Sequence, residues 1–371
     1  MTNTTSHQDL FQLIPQEIFR KLAQKWRVDK NIRTLSTGRL TQVLLFGQIH
    51  RIYSLREQEA VFHIPKSTLA DALKKRSSGF FEDLSEALID QLLSHVPLRS
   101  LGRRLVAIDS TEVKANRSLY EFRAWRKSVK LHVAWDLERA CVEDFRTTPG
   151  THSDLTVAKK FALSKGKVYV FDRAYFDLQF WLQIQNAGSH FVTRMKRSPR
   201  LCAIHTQVLP SEKDGVLLDR KWTPSESACY RVKIPVKTKY FRHIIYRDPL
   251  TKKLFDFITS DTESKAEEVA DFYKKRWSVE LLFKWLKTHL HLRIIDVRNP
   301  NTTRIYMAMI VITQALLELE RIKTKFRGTL WELLRALRTQ ALRQSLMLGP
   351  SPDENASKPL PRTGSKDFKS G

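Results

Sequence analysis

The sequence predicts an α/β protein: a mixed sheet with a β-rich insertion, and helical regions before and after it. Three observations predict this. Apolar residues recur at helical spacing through residues 8–97 and again through 302–346. Between them, short apolar runs follow the order strand, strand, strand, helix, strand, helix, strand, a meander followed by crossovers. Residues 197–262 then interrupt the alternation with turn residues and β-branched runs.

Taken in order, Leu10, Phe11, Leu13, Ile14, Ile18, Phe19, Leu22 and Trp26 follow a helical period interrupted at Pro15. Residues 40–53 form a second helix. Two short helices, residues 55–62 and 67–76, flank a break at His63-Ile64-Pro65-Lys66 and read as a helix-turn-helix with Ser67 as N-cap, though any short helical hairpin has this form. Residues 80–96 close the region. Strands follow at 105–108, ending at Asp109, and at 130–135 and 140–146. A helix over 153–163 leads to a strand over 168–171, ending at Asp172. A helix over 174–187 and a strand over 190–195 complete the series. Residues 230–236, 240–246 and 254–259 are the strands expected in the insertion. The apolar stretch 305–317 is too short to span a bilayer and reads as a core helix. Residues 348–371, rich in Pro, Ser, Gly, Asp and Lys, read as a disordered tail.

The 371 residues carry 64 Lys and Arg against 39 Asp and Glu, a formal net charge of +25. So large an imbalance alongside a patterned core points to a polyanionic partner, with nucleic acid first and a basic ribosome-like or membrane-surface protein as the alternative. Cys141, Cys202 and Cys229 lie far apart without CxxC spacing, which argues against a zinc module or disulfide framework and fits a reducing cytoplasm. The N-terminus shows no charged-then-apolar leader.

Residues 273–287 contain no Gly or Pro and read as one helix. At about 100° per residue, Tyr273, Arg276, Glu280, Lys284 and Lys287 share one arc, and Val279, Leu282, Phe283, Leu286 and Leu290 share another. One carboxylate therefore stands among cations on a face opposite an apolar stripe. Alone, Glu280 is half of an ordinary i,i+4 pair with Lys284, and an Asp after a strand is often a turn or cap residue. If the strands ending at Asp109 and Asp172 are neighbours, both acids sit at one sheet edge, and Glu280 would complete a three-carboxylate cluster. Such acids repel one another, and a pair of hard divalent cations removes the repulsion. Two such metals can drive in-line phosphoryl transfer.

These residues resemble the DDE transposases of the insertion-sequence-four family. Tyr273, Arg276, Glu280 and Lys287 match that family's Y-R-E-K spacing. Asp109-Ser110-Thr111 and Asp172-Arg173-Ala174-Tyr175 resemble its two aspartate motifs, and Phe191-Val192-Thr193-Arg194 the strand after the second. Residues 11–56 resemble an N-terminal domain found on many of these transposases. The resemblance implies an RNase H-like core (101–196 and 263–300) with the insertion at 197–262, a DNA-binding N-terminal domain (1–97) and a C-terminal helical region (301–347). It implies that Asp109, Asp172 and Glu280 bind two Mg²⁺ ions, with Mn²⁺ as substitute, and catalyse cut-and-paste transposition through strand cleavage and 3′-OH attack, with a hairpin at the element's ends. Tyr273, Arg276 and Lys287 would hold the cleaved strand, with Lys284 on the same basic face. Phe255 or Trp222 would stack on a flipped base, with sheet packing as the plainer role for both; His152 would support the site, while Asp154 beside it reads as a helix-capping residue. His289 and His291 read as surface residues. The implied partners are double-stranded DNA, at element ends and target, and a second copy in the synaptic complex; no membrane is implied. The implied setting is a bacterial cytoplasm with nucleoid association on DNA. A non-catalytic DNA-binding derivative and a hydrolytic metal-dependent nuclease are the alternative readings.

Overall fold

The computed structural model describes residues 7–96, 104–115, 128–195, 215–223, 229–230, 241–292, 294–295 and 299–347. The tail at 348–371, Cys202 and most of the strand expected at 230–236 lie outside the described residues.

Six helices come first: α1 (His7–Gln12), α2 (Gln16–Lys25), α3 (Thr37–His50), α4 (Leu55–Phe62), α5 (Lys66–Lys75) and α6 (Ser78–His95). Pro15 separates the first two, as its missing N–H requires. Ser54 and Glu57 form a reciprocal capping box on α4. The N-cap of α5 is Pro65 rather than Ser67; the free Lys66 N–H is taken up by Glu59 Oε1 at 3.1 Å, across the turn.

The strands are β1 (Arg104–Ala115), β2 (Ser128–Asp136), β3 (Cys141–Pro149), β4 (Lys167–Val170), β5 (His190–Arg194), β6 (Val216–Trp222), β7 (Phe241–Arg247), β8 (Leu254–Thr259) and the short β9 (Ile294–Ile295). They form one mixed sheet ordered β3-β2-β1-β4-β5-β8-β7-β6, with β9 beside β1. The first five make an antiparallel meander followed by parallel β1-β4-β5 pairing. The insertion strands continue the same sheet, because β8 pairs antiparallel with β5. Strand β6 has no counterpart among the strands expected from the sequence, whose Asp219-Arg220-Lys221 stretch masks its alternation.

Alternation along β1 sorts the helices onto two faces. Val106 and Ile108 join Tyr169, Phe171, Phe180, Trp181 and Phe191 on one face, where α7 (Asp154–Ala158) and α8 (Leu178–Asn186) lie. The first of these is shorter than the helix expected over 153–163. Helix α8 is preceded by a separate 3₁₀ turn, Arg173–Tyr175, because Asp177 caps the Phe180 N–H and restarts the chain. Leu105 and Ala107 face the other side, against α9 (Ala266–Lys275), α10 (Trp277–His289) and α11 (Pro300–Lys323).

The structure departs from the sequence pattern at two further points. Strand β1 does not end at Asp109 but runs six residues further, because Thr111 and Val113 stay buried while Glu112 and Lys114 point outward. And 273–287 is not one helix: α9 and α10 break at Arg276. The Arg276 N–H bonds to Tyr273 O and the Val279 N–H to Arg276 O, three-residue bonds that tighten the chain. The two halves serve different cores. Val269 and Ala270 of α9 pack with the β5–β8 side, whereas Val279, Leu282, Phe283 and Leu286 of α10 pack with the helical region.

That helical region is continuous. Residues from α1–α6, α10, α11 and α12 (Leu330–Met347) share one apolar core with β1–β3. Helix α11 is buried nearly all round from Ile305 to Glu320, and no helix among the described residues is long and apolar enough to cross a membrane.

Candidate active site

Parallel pairing sets Ala107 opposite Val170, so Asp109 and Asp172 stand at the same height on neighbouring strands. Asp109 is in phase with Ala107, which packs with α10, and Asp172 with Val168 and Val170, which pack with α9, on the same face of the sheet. Asp172 lies just past β4, where its Oδ1 accepts the Ala174 N–H at 2.8 Å. Asp109 Oδ1 accepts the Ser110 N–H at 2.8 Å. From the first turn of α10, Glu280 approaches the same edge.

Arg276, at the break between α9 and α10, joins the strand to the helix. Its Nη1 donates to Asp109 Oδ2 at 2.9 Å and its Nη2 to Glu280 Oε1 at 2.5 Å. Burial pushes the Asp109 carboxyl up to about 6; the Ser110 N–H and Arg276 pull it down, while Asp172 and Glu280 push it up. All three acids are thus within electrostatic reach of one another. Burial opposes the charge on Arg276, but Tyr273, Glu280 and Asp109 keep its pKa above the ordinary value.

The remaining sequence-predicted residues divide. Tyr273 is half-buried, packs on Phe257 with ring centroids 5.1 Å apart, and lies under the Arg276 guanidinium. Phe255 is also half-buried, stacked on Phe257, with Arg194 over its ring. An aromatic run therefore leads from the insertion to Arg276. Lys284 is exposed and Lys287 half-buried on the Glu280 side of α10. The Trp222 side chain lies outside the described residues. The His152 ring is exposed, and only its backbone carbonyl touches the neighbouring network, accepting Lys130 Nζ at 3.1 Å.

What buttresses the site instead is Asp154, whose carboxylate does not cap α7. It accepts Ser110 Oγ at 2.9 Å and Lys130 Nζ at 3.0 Å, and lies 3.6 Å from His132 Nδ1. His132 is buried, paired through Nε2 with Thr148 Oγ1 at 2.8 Å, and burial lowers its pKa to about 4. Burial also raises the Tyr175 phenol well above its usual range, with the charges of Asp109, Asp154 and Asp172 adding to the shift. This network braces the far side of β1 while Ser110 holds Asp109 on the near side. Sequence reading missed His132 and Lys130, and named Tyr175 only as part of the second aspartate motif; the signal for His132 was a lone His amid the apolar β2 pattern. It also missed Trp277, 59% exposed beside Arg276 and off the apolar stripe.

Three carboxylates are the hard oxygen donors that suit Mg²⁺ or Mn²⁺. Half-buried Asp109, whose pKa burial raises, is a group whose ionised form a cation would favour. In the arrangement described, no three His, Cys, Asp or Glu side chains among the described residues converge closely enough to hold a metal ion. The positive charge between Asp109 and Glu280 is that of Arg276. The donor set fits the ion in its chemistry: Asp109, Asp172 and Glu280 would hold it.

Residues 100–316, more than half of the chain, match the family described as Transposase DDE domain. The chain belongs to the DDE transposase family. Residues 2–72 match a domain of unknown function. A Sinorhizobium fredii protein named transposase y4zB is 28% identical over 275 residues, covering 71% of this chain and 74% of that one. A Geobacillus stearothermophilus protein named as the transposase for insertion sequence element IS5377 is 26% identical over 303 residues, 78% of each chain. The cryo-EM structure of a piggyBac transposase synaptic complex with hairpin DNA matches in fold, with a TM-score of 0.50 at 9% identity over 95% of this chain and 84% of that one. The resemblance to insertion-sequence transposases and the RNase H-like core therefore stand. This DDE transposase is an enzyme of DNA cleavage and transfer, with DNA as partner and the divalent-metal dependence of its family.

Proposed function

We propose that this transposase binds the terminal inverted repeats of an insertion sequence and moves it by cut-and-paste strand cleavage and transfer, through a hairpin at the element's ends. The observation that carries the reading is that Arg276 bonds to both Asp109 and Glu280, with Asp172 at the same height on the neighbouring strand. Those acids would hold two Mg²⁺ ions, or Mn²⁺, which supply the charge that activates a water or 3′-hydroxyl and steadies the leaving oxygen. Arg276 and Lys287 grip phosphates of the cut strand, the first as a fork and the second as a point charge. Lys284 extends that grip, and Tyr273 orients the strand beside Arg276.

Exposed Trp277 is better placed than half-buried Phe255 to stack on a splayed base, since base stacking needs an open ring face. His152 supports the site through its carbonyl on Lys130. Residues 1–97 contribute DNA contact through exposed Lys66, Lys74 and Lys75 of α5 and through exposed Arg27, Lys30 and Arg33 after α2. Pairing of two ends calls for a homodimer on DNA, in a bacterial cytoplasm.

An excision assay on a plasmid carrying the native flanks tests the reading. Wild type is expected to excise and join the element with Mg²⁺, and Asp109→Ala to bind the ends without cleaving. Retained cleavage by that variant would sink the metal-site assignment, and cleavage with no joined product would leave a hydrolytic nuclease.

A further inference from the structure

Arg276 serves two acids at once. One comes from the middle of β1 and one from the first turn of α10, and the guanidinium spans the gap between them. Its side chain is 14% exposed, against 19% for Asp109 and 35% for Glu280. An i,i+4 pair with Glu280 is ordinary helix chemistry. Sharing the same cation with a strand acid is not, and it places the guanidinium on the carboxylate oxygens that a cation in the site would use. The helix break at Arg276 is what lets the side chain reach both.

We infer that Arg276 is an internal counter-ion that holds the acidic site closed until metal and DNA arrive together. This rests on the reading in which Asp109 and Glu280 are metal ligands. A divalent ion and the guanidinium compete for Asp109 Oδ2 and Glu280 Oε1. The apparent metal affinity of the DNA-free protein is therefore reduced by the fraction of molecules in which Arg276 has let go. Once released, a permanently charged and largely buried guanidinium needs another anion. A DNA phosphate accepts the same pair of N–H groups. Metal and DNA thus favour the same state of Arg276, and each tightens binding of the other by the same factor. The arrangement discourages metal loading, and cleavage, away from a bound DNA end.

Mn²⁺ binding to the full-length, DNA-free protein, followed by the loss of free-ion electron paramagnetic resonance signal, tests this. Arg276→Gln is expected to bind Mn²⁺ about tenfold more tightly than wild type. A duplex carrying the native flanking sequence is expected to tighten Mn²⁺ binding to wild type but not to Arg276→Gln. Arg276→Lys, a point charge that cannot span both acids, is expected to fall between them, and it carries the comparison if Arg276→Gln does not fold. Mn²⁺ is also expected to raise the melting temperature of Arg276→Gln more than that of wild type. Equal or weaker Mn²⁺ binding by both Arg276 variants, with Asp109→Asn still abolishing the tight site, would overturn the counter-ion role alone. Unchanged binding in Asp109→Asn would overturn the metal-site reading and the inference with it.

Discussion

His132 shows how a single buried side chain leaves a mark on the stability of the whole chain. It is enclosed on β2, and burial lowers its pKa from an ordinary 6.5 to about 4. The unfolded chain takes up a proton near pH 6.5, whereas the folded one resists until about pH 4. Stability is therefore lost as pH falls through that window, by about 3 kcal/mol at most. Chemical denaturation at pH 7 and pH 4 should show His132→Gln losing less stability than wild type; equal losses would remove His132 as the cause. Asp109 works in the opposite sense. Its folded pKa lies above its ordinary 3.8, at about 6, so in the metal-free protein it favours folding at low pH and loses that contribution as pH rises between those values.

Elements are held to one another by a few polar junctions set among apolar contacts. Asn301, in the first turn of α11, is one. Its Nδ2 donates to Leu73 O at 3.0 Å and Arg76 O at 2.6 Å, and its Oδ1 accepts the Ser78 N–H at 3.0 Å. It thereby caps the end of α5 and the start of α6 together. Asn301→Ala leaves those groups without partners and should cost about 2–3 kcal/mol in a urea titration. A loss under about half a kcal/mol would mean that water replaces the side chain at little cost. The far end of α10 is pinned in a similar way. His289 stacks on Trp331 with ring centroids 4.3 Å apart, and its carbonyl accepts Arg338 Nη2 at 3.1 Å. It is therefore a half-buried packing residue, not the surface residue expected from its sequence position.

Across the whole molecule, the N-terminal helices share their core with α10, α11 and the sheet. Cutting away residues 1–97 would strip the buried face of α11, so their part in DNA binding is better read from surface charges. Combined replacement of exposed Arg27, Lys30 and Arg33 by Gln should lower the slope of log affinity against log salt by about 2–3 for duplex DNA. Melting temperature should hardly change, since these side chains are solvent-facing. Lys287→Ala should lower the slope by about one. A slope that stays at the wild-type value in either variant would take those cations off the DNA path.

Much of this was legible in the amino-acid sequence, because local periodicity and charge are local properties. The helical and strand segments and the apolar stripe of Val279, Leu282, Phe283 and Leu286 could be named from spacing alone, and the three acids with Arg276 from spacing together with the family resemblance. The length of β1 could not, since Glu112 and Lys114 interrupt the apolar run and pairing with β2, and with β9 at the far end, keeps that segment extended. Nor could the break at Arg276, where no Gly or Pro marks the chain and the cause is two halves drawn to two different cores. The Asp154–Ser110–Lys130 brace joins residues more than twenty positions apart and has no sequence period. The sequence by itself determined which chemistry the chain carries. The tertiary structure alone decided that Arg276 stands between Asp109 and Glu280, because strand register and helix docking bring residues 109 and 276 into contact across 167 positions.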